Sequence, residues 1–262
     1  MANNKKLKAF ARYDGQNNIV PGSLIVREDK PTGGGTFIEV APVNLCCSSF
    51  QTNTYNCCIA IQCIANAEDG NYGFTLQTRT NSGSNLTGTV HWSSVDSESF
   101  SLPADSNDYD FSHFFNDLLV HTVYLCLNNP SQLRDFEIGF GPGQAVAITN
   151  LYQLNGIDEF DSDDMRLVSL DFTGLVSMTE LSNSNSLTEN INITGCINLD
   201  DVTLDTNNLT ETSVDHVLVT LDNSGLPNGY VDLAGGTNAP PSAVGLAAAA
   251  SLIGKSWNVF HN

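Results

Sequence analysis

The 262-residue chain is 41% hydrophobic, enough to build real cores, so disorder throughout is excluded. Its formal charge is −19 although only 15% of residues are charged, so Asn, Ser, Thr and Gly supply most of the polar surface. That composition suits a β-rich extracellular or virion protein better than a helical cytosolic enzyme, and the acidity leaves no basic face for phosphates beyond the N-terminus, which argues against nucleic acid as a partner.

Lys5, Lys6, Lys8, Arg12, Arg27 and Lys30 lie in the first thirty positions, against Asp14, Glu28 and Asp29. This opening carries about +3 and the remainder about −22, the pattern of a docking end and a self-repelling body. Residues 1–20 hold no apolar stretch of the signal-peptide kind, and the Ala-rich run from Gly245 to Ile253 is too short to span a bilayer. The expectation is synthesis in a cytoplasm, without ordinary secretion and without a membrane partner.

Residues 6–13 alternate polar and apolar, Asp14-Gly15 marks a turn, and Ser23 to Arg27 and Thr36 to Val40 read as further strands. A small hairpin or three-stranded unit is predicted, with Pro31 and Gly33-Gly34-Gly35 as a connection. Lys5-Lys6-Leu7-Lys8-Ala9-Phe10, Arg12-Tyr13-Asp14-Gly15 and Ile19-Val20-Pro21-Gly22-Ser23-Leu24-Ile25 resemble a short module at the N-termini of structural proteins in crAss-like and other phages of Bacteroidetes hosts. The resemblance implies a virion-anchoring segment over residues 1–45, with Lys5, Lys6, Lys8, Phe10, Arg12, Tyr13 and Arg27 as candidate docking residues.

Seven cysteines make an odd count, and Cys46, Cys47, Cys57, Cys58 and Cys63 fall within eighteen positions. Adjacent cysteines on a strand point to opposite faces and cannot easily chelate together. Buried or free thiols are favoured over disulfides in the Cys46 to Cys63 region, and those over a metal site.

Short strands are predicted at Phe74 to Thr80, Thr87 to Ser93, Ser99 to Leu102 and His121 to Leu127, the spacing of a β-sandwich over residues 46–130. Gly88-Thr89-Val90-His91-Trp92, Glu98-Ser99-Phe100, Phe111-Ser112-His113-Phe114 and Thr122-Val123-Tyr124-Leu125 resemble an Ig-like domain of the polycystic-kidney-disease type, although Ser93-Ser94-Val95-Asp96 stands where that family has Gly-Asp-Gly.

From residue 131 to 262 short apolar strands recur, each followed by Asn, Asp, Thr or Gly: Leu167 to Gly174, Asn190 to Gly195, Leu199 to Asn207, Val214 to Leu221 and Asn228 to Leu233. They resemble leucine-rich repeats, with an irregular spacing of about 11 to 21 residues that predicts a short, degenerate stack. Ala243 to Ile253 reads as a helix stopped by Gly254, followed by a strand at Ser256 to Phe260. Val231 to Ser242, Gly245 to Ala248 and Trp257-Asn258-Val259 resemble the closing unit of repeat proteins of phages and Bacteroidetes bacteria, a cap whose helix covers the open edge of the last repeat.

No motif for chemistry emerges. Asp158 to Asp164 lacks the EF-hand pattern and reads as a solvated acidic loop, as do Asp105 and Asp108 to Asp110. His113 and His121 flank a loop and are the one conceivable histidine pair, with core or surface roles favoured. There is no Gly-x-Ser-x-Gly, and only Trp92 and Trp257 offer tryptophan platforms for a sugar.

The expected fold class is thus mainly β: an N-terminal β-hairpin anchor, an Ig-like sandwich, and a leucine-rich-repeat-like stack with a capping helix. The expected role is a non-enzymatic virion protein with no metal or cofactor, a capsid decoration or head-fibre component. Its expected partners are major capsid or tail proteins and further copies of itself. The alternative is a tail or receptor-binding protein that recognises host-surface glycans.

Overall fold

The computed structural model describes residues 8–13, 25–27, 36–40, 58–65, 70–80, 83–138 and 143–262, and the chain divides into two units, Met1–Cys57 and Cys58–Asn262. Among the described residues the fold is mainly β, with eighteen strands and two α-helices. In the first unit β1 (Lys8–Tyr13) runs antiparallel between β2 (Ile25–Arg27) and β3 (Thr36–Val40), the three-stranded form of the predicted opening.

The second unit begins with eight strands: β4 (Ile59–Ile64), β5 (Asn71–Thr78), β6 (Leu86–His91), β7 (Ser97–Leu102), β8 (Asp108–Phe114), β9 (Val120–Leu127), β10 (Leu133–Ile138) and β11 (Gln144–Thr149). Their alternation is the reason they pair. Ile59, Ile61 and Cys63 of β4 face inward and are buried, and so are Leu86 and Val90 of β6, while their neighbours are more exposed. Strands β11-β4-β9-β6-β7 form one antiparallel sheet, and β8-β5-β10 begin a second. Side chains of the two sheets meet in a shared core, with Phe74 of β5 5.8 Å from Trp92 and Phe100 of β7 5.0 Å from Phe111 of β8.

Strands β10 and β11 follow Pro130 yet pair with β5 and β4, so the division expected between residues 130 and 131 falls inside these sheets. The second sheet then continues without a break. On its far side β10 pairs in parallel with β12 (Glu159–Asp161), and Phe136 stands opposite Phe160.

After β12 come β13 (Ser169–Asp171), β14 (Glu180–Ser182), β15 (Asn190–Asn192), β16 (Asp201–Thr203), α1 (Glu211–Ser224), β17 (Tyr230–Leu233), α2 (Ala243–Gly254) and β18 (Asn258–His261). Strands β12, β14, β16, β17 and β18 extend the second sheet in parallel to eight strands, and β13 pairs with β15 in a two-stranded sheet of its own. Glu159, Glu180 and Asp201 are register partners 21 positions apart, as are Ser169 and Asn190. The irregular spacing expected from the sequence is therefore a regular 21-residue coil with two strands per turn, so that successive strands start 10 and 11 positions apart.

The repeat is written in three kinds of position. Phe160, Leu181 and Val202 fill the core beneath the long sheet, and Phe172, Ile193 and Val214 fill it from the opposite side. Asp164, Asn185 and Thr206 all adopt left-handed backbone (φ 60°, 49° and 56°), and Gly174 and Gly195 do so at the other bend (φ 81° and 84°). At the first bend, buried amides close the polar balance: Asn207 Nδ2 donates to the Asn183 and Leu204 carbonyls at 2.5 and 3.1 Å, and its Oδ1 accepts from the Thr188 N–H at 3.2 Å.

The next coils are longer, 29 positions from Asp201 to Tyr230 and 28 from Tyr230 to Asn258, because helices replace the second strand. Thr210 caps α1 by accepting from the Ser213 N–H, and Ser242 caps α2 by accepting from the Val244 N–H. Helix α2 packs mainly against α1 and also touches β18, and among the described residues β18 is the outer edge of the long sheet.

Candidate binding surfaces

The expected docking residues Lys8, Phe10, Arg12 and Tyr13 lie on β1, where Lys8 is the register partner of Arg27 on β2, Phe10 of Ile25 and Arg12 of Phe37. The central strand of the first unit therefore carries four of the seven, and an adjoining strand a fifth. Lys5 and Lys6 lie outside the described residues.

On the second unit, the outer face of the long sheet is acidic. Asp135 of β10, Glu159, Glu180 and Asp201 are successive register partners, and Glu137 and Asp161 form a parallel row beside them. Asp108 and Asp110 of β8 prolong both rows, accepting hydrogen bonds from Gln77 Nε2 and Thr75 Oγ1. Arg134 enters the face where the register of β10 shifts, donating to Gln77 Oε1 and standing 3.5 Å from Glu159. Burial pushes the Asp135 carboxyl up to about 7, helped by the charge of Glu159, and Asp135 Oδ1 has no hydrogen-bond partner. Burial likewise raises Asp161 to about 6, and it raises Glu137, Glu180 and Asp201, whose carboxylate neighbours add to the effect. Such a face attracts cations and repels a second acidic surface.

The run from Asp158 to Asp164 is not the solvated loop expected from its sequence. Its centre is β12. Asp158 pairs with Arg79 at 2.5 Å, Asp163 Oδ1 accepts from the Ser184 N–H and Ser182 Oγ, and Asp164 accepts from Asn185. Asp163 and Asp164 tie one coil to the next, and Asp158 ties the first coil to the antiparallel region. Sequence reading missed this because hydrogen-bond partners 19 to 21 positions away leave no local signal. Asp105 also serves locally, accepting from the Asn107 N–H and the Tyr109 hydroxyl, bonds that hold its carboxyl below the ordinary range.

His113 and His121 are brought together, but Phe115 lies between their rings at 4.6 and 3.9 Å. Each has its own acid, Asp96 at 3.7 Å and Asp117 at 2.8 Å, so they do not converge on a common point. Among the described residues no group of three or more His, Cys, Asp or Glu side chains is arranged to hold a metal ion. Trp92 and Trp257 are buried and hydrogen-bonded to Glu98 and the Leu226 carbonyl, so neither is the exposed sugar platform considered above.

Cys58, just before β4, and Cys126 of the adjacent strand β9 form a disulfide, so one partner comes from the Cys46 to Cys63 cluster and the other from outside it. The partners are 68 positions apart and meet only through sheet register. Cys63 and Cys196 are free and buried, and burial raises their thiols to about 12 and about 11, which makes them inert at neutral pH.

One groove of about 490 Å³ opens over the two-stranded sheet beside the start of α1. It presents Asp171, Asn190, Asn192, Thr194, Thr212 and His216, a set of donors and acceptors without a Phe, Tyr or Trp side chain. His216 Nε2 accepts from the Ile193 N–H at 3.2 Å, at the flank of β15 where a third strand of that sheet would have paired, and burial lowers its pKa. The ring is held neutral there. No family model, curated protein or solved structure matches this chain.

Proposed function

We propose that this chain is a structural protein of a tailed-bacteriophage particle, a capsid decoration or head-fibre component held to the particle by its N-terminal unit. In this reading the two-sheet region is an Ig-like sandwich and the coils are a leucine-rich-repeat-like stack. The carrying observation is the division of the chain into a small three-stranded unit bearing the basic residues and a large acidic body. A basic strand docks on a particle by charge, while an acidic body keeps neighbouring copies apart. A particle exposed to an oxidising exterior is also compatible with the Cys58–Cys126 bond. Imaging of purified particles tests the assignment: density for this chain on the head is expected, and density confined to the tail would overturn it.

A second reading has the groove beside α1 in its favour. Its amides, hydroxyls and carboxylate match the hydrogen-bonding needs of sugar hydroxyls, as required of a receptor-binding protein that takes host-surface glycans. Binding on a glycan array that Asn192→Ala abolishes is the expected result, and no signal above an unrelated capsid protein removes this reading.

A further inference from the structure

We infer that the groove beside α1 discriminates among sugars by charge: it favours a sugar bearing a free, protonated amino group, which Asp171 holds, and it rejects sugars bearing carboxylate or sulfate. The inference rests on the glycan reading of that groove.

The floor of the groove comes from two successive coils. Ser169 is the register partner of Asn190 and Asp171 of Asn192, and the buried Leu170 and Ile191 alternate with them. In-register parallel strands set these four polar side chains on one face, about 4.8 Å apart across the strands and about 6.6 Å along them. Helix α1 supplies the wall, with Thr212 and His216.

Bonds within the coils fix two of the four side chains without any ligand. Asp171 Oδ1 accepts from the Thr173 N–H at 3.0 Å and from Thr173 Oγ1 at 2.5 Å, and Asn192 Oδ1 accepts from the Thr194 N–H and Oγ1 at 3.1 and 2.7 Å. Asn192 Nδ2 donates to Thr173 Oγ1 at 2.8 Å, which joins the two turns. Asp171 is thus held in place through one oxygen, and its Oδ2 is left as a charged acceptor with no partner among the described residues.

No residue lining the groove is Lys or Arg. Between Arg166 and Lys255 the sequence contains ten Asp and Glu and no basic residue, and Lys255 is itself paired with Asp222 at 2.7 Å. His216 adds no charge either: its Nε2 accepts from the Ile193 N–H, so the ring is neutral and carries its proton on Nδ1. An ammonium on this floor therefore gains from Asp171 and meets no cation, whereas a carboxylate or sulfate meets Asp171 and finds no basic partner.

Calorimetric titration of the full chain tests this with a glucosamine trimer, its N-acetylated form and a galacturonate trimer, at a pH where the amine is protonated. The amine form should bind about threefold more tightly than the acetylated form, the scale of one exposed ion pair, and the galacturonate should bind weakest. Asp171→Asn, which keeps the Oδ1 acceptor for Thr173, should remove the amine preference. If none of the trimers binds, the glycan reading falls and this inference with it. Acetylated or galacturonate trimer binding as tightly as the amine form overturns the inference alone. So does an amine preference that survives Asp171→Asn, since the acidic face of the long sheet is then what attracts the amine. Should the variant fail to fold, hydrogen exchange on the unmodified protein decides: the amine trimer should protect amides of β13, β15 and the first turn of α1, and protection found only elsewhere overturns the inference.

Discussion

The two halves of the Cys58–Asn262 unit solve the same packing problem differently. The half from β4 to β11 pairs strands distant in sequence, fills its core with Tyr72, Phe74, Trp92, Phe111 and Phe115, and adds a disulfide across neighbouring strands. The coil half adds one rung at a time, with cores that are aliphatic beyond Phe160 and Phe172 and with buried amides repeated at fixed offsets, so each rung depends mainly on its neighbours. The long sheet runs through both. Phe136 is the joint, its ring 5.7 Å from Phe74 on one side and 5.9 Å from Phe160 on the other. The comparison teaches that a repeat stack needs no cap at its first rung when a preformed antiparallel sheet supplies the edge.

The largest test of that joint is Phe136→Ala. Removing a fully buried ring should cost about 4 kcal/mol. Hydrogen exchange should show lost protection on both β5 and β12, and a loss confined to one half would mean the halves are independent. Replacing Cys58 and Cys126 by Ser opens a loop of 68 positions, and should cost at most about 4 kcal/mol in chemical denaturation. The loss should begin in the antiparallel half, leaving the coils from β16 onward protected. Asn207→Ala should cost about 3 kcal/mol, because it strands the Thr188 N–H and the Asn183 carbonyl in a buried bend, while the Leu204 carbonyl keeps the Asn238 amide. Its damage should stay with β14 to β17, and an effect on β4 to β9 would contradict the rung-by-rung picture.

The smallest effect separates the halves by pH. Asp135 has a folded-state pKa raised from 3.8 to about 7, so the folded protein holds this proton more tightly than the unfolded chain. Its contribution is therefore most favourable below 3.8, declines as pH rises from there to about 7, and is level above. Asp135→Asn should raise the Tm at pH 8 relative to the unmodified protein, with the gain shrinking as pH falls toward 4. A gain equal at both pH values would exclude carboxylate ionisation as the cause.

Much of this was legible in the sequence where the signal is local. The strands from Phe74, Thr87, Ser99 and His121 showed as alternation, and α2 showed as an Ala-rich apolar run between Ser242 and Gly254, broken only by Ser251. The 21-residue period was hidden because each coil carries two strands, on opposite sides of the core, and consecutive strands recur at about half the period. The groove was missed because Asp171, Asn190, Asn192 and His216 come from three elements whose adjacency is a property of stacking.

The sequence by itself determined the β-rich character, the basic opening, the acidic body and the apolar last helix, since composition and alternation act on each segment alone. The tertiary structure alone decided which cysteines bond, which carboxylates share a face and which strand is left at the edge. Those depend on register between strands far apart in the chain, and register is set by the burial of all inward side chains together.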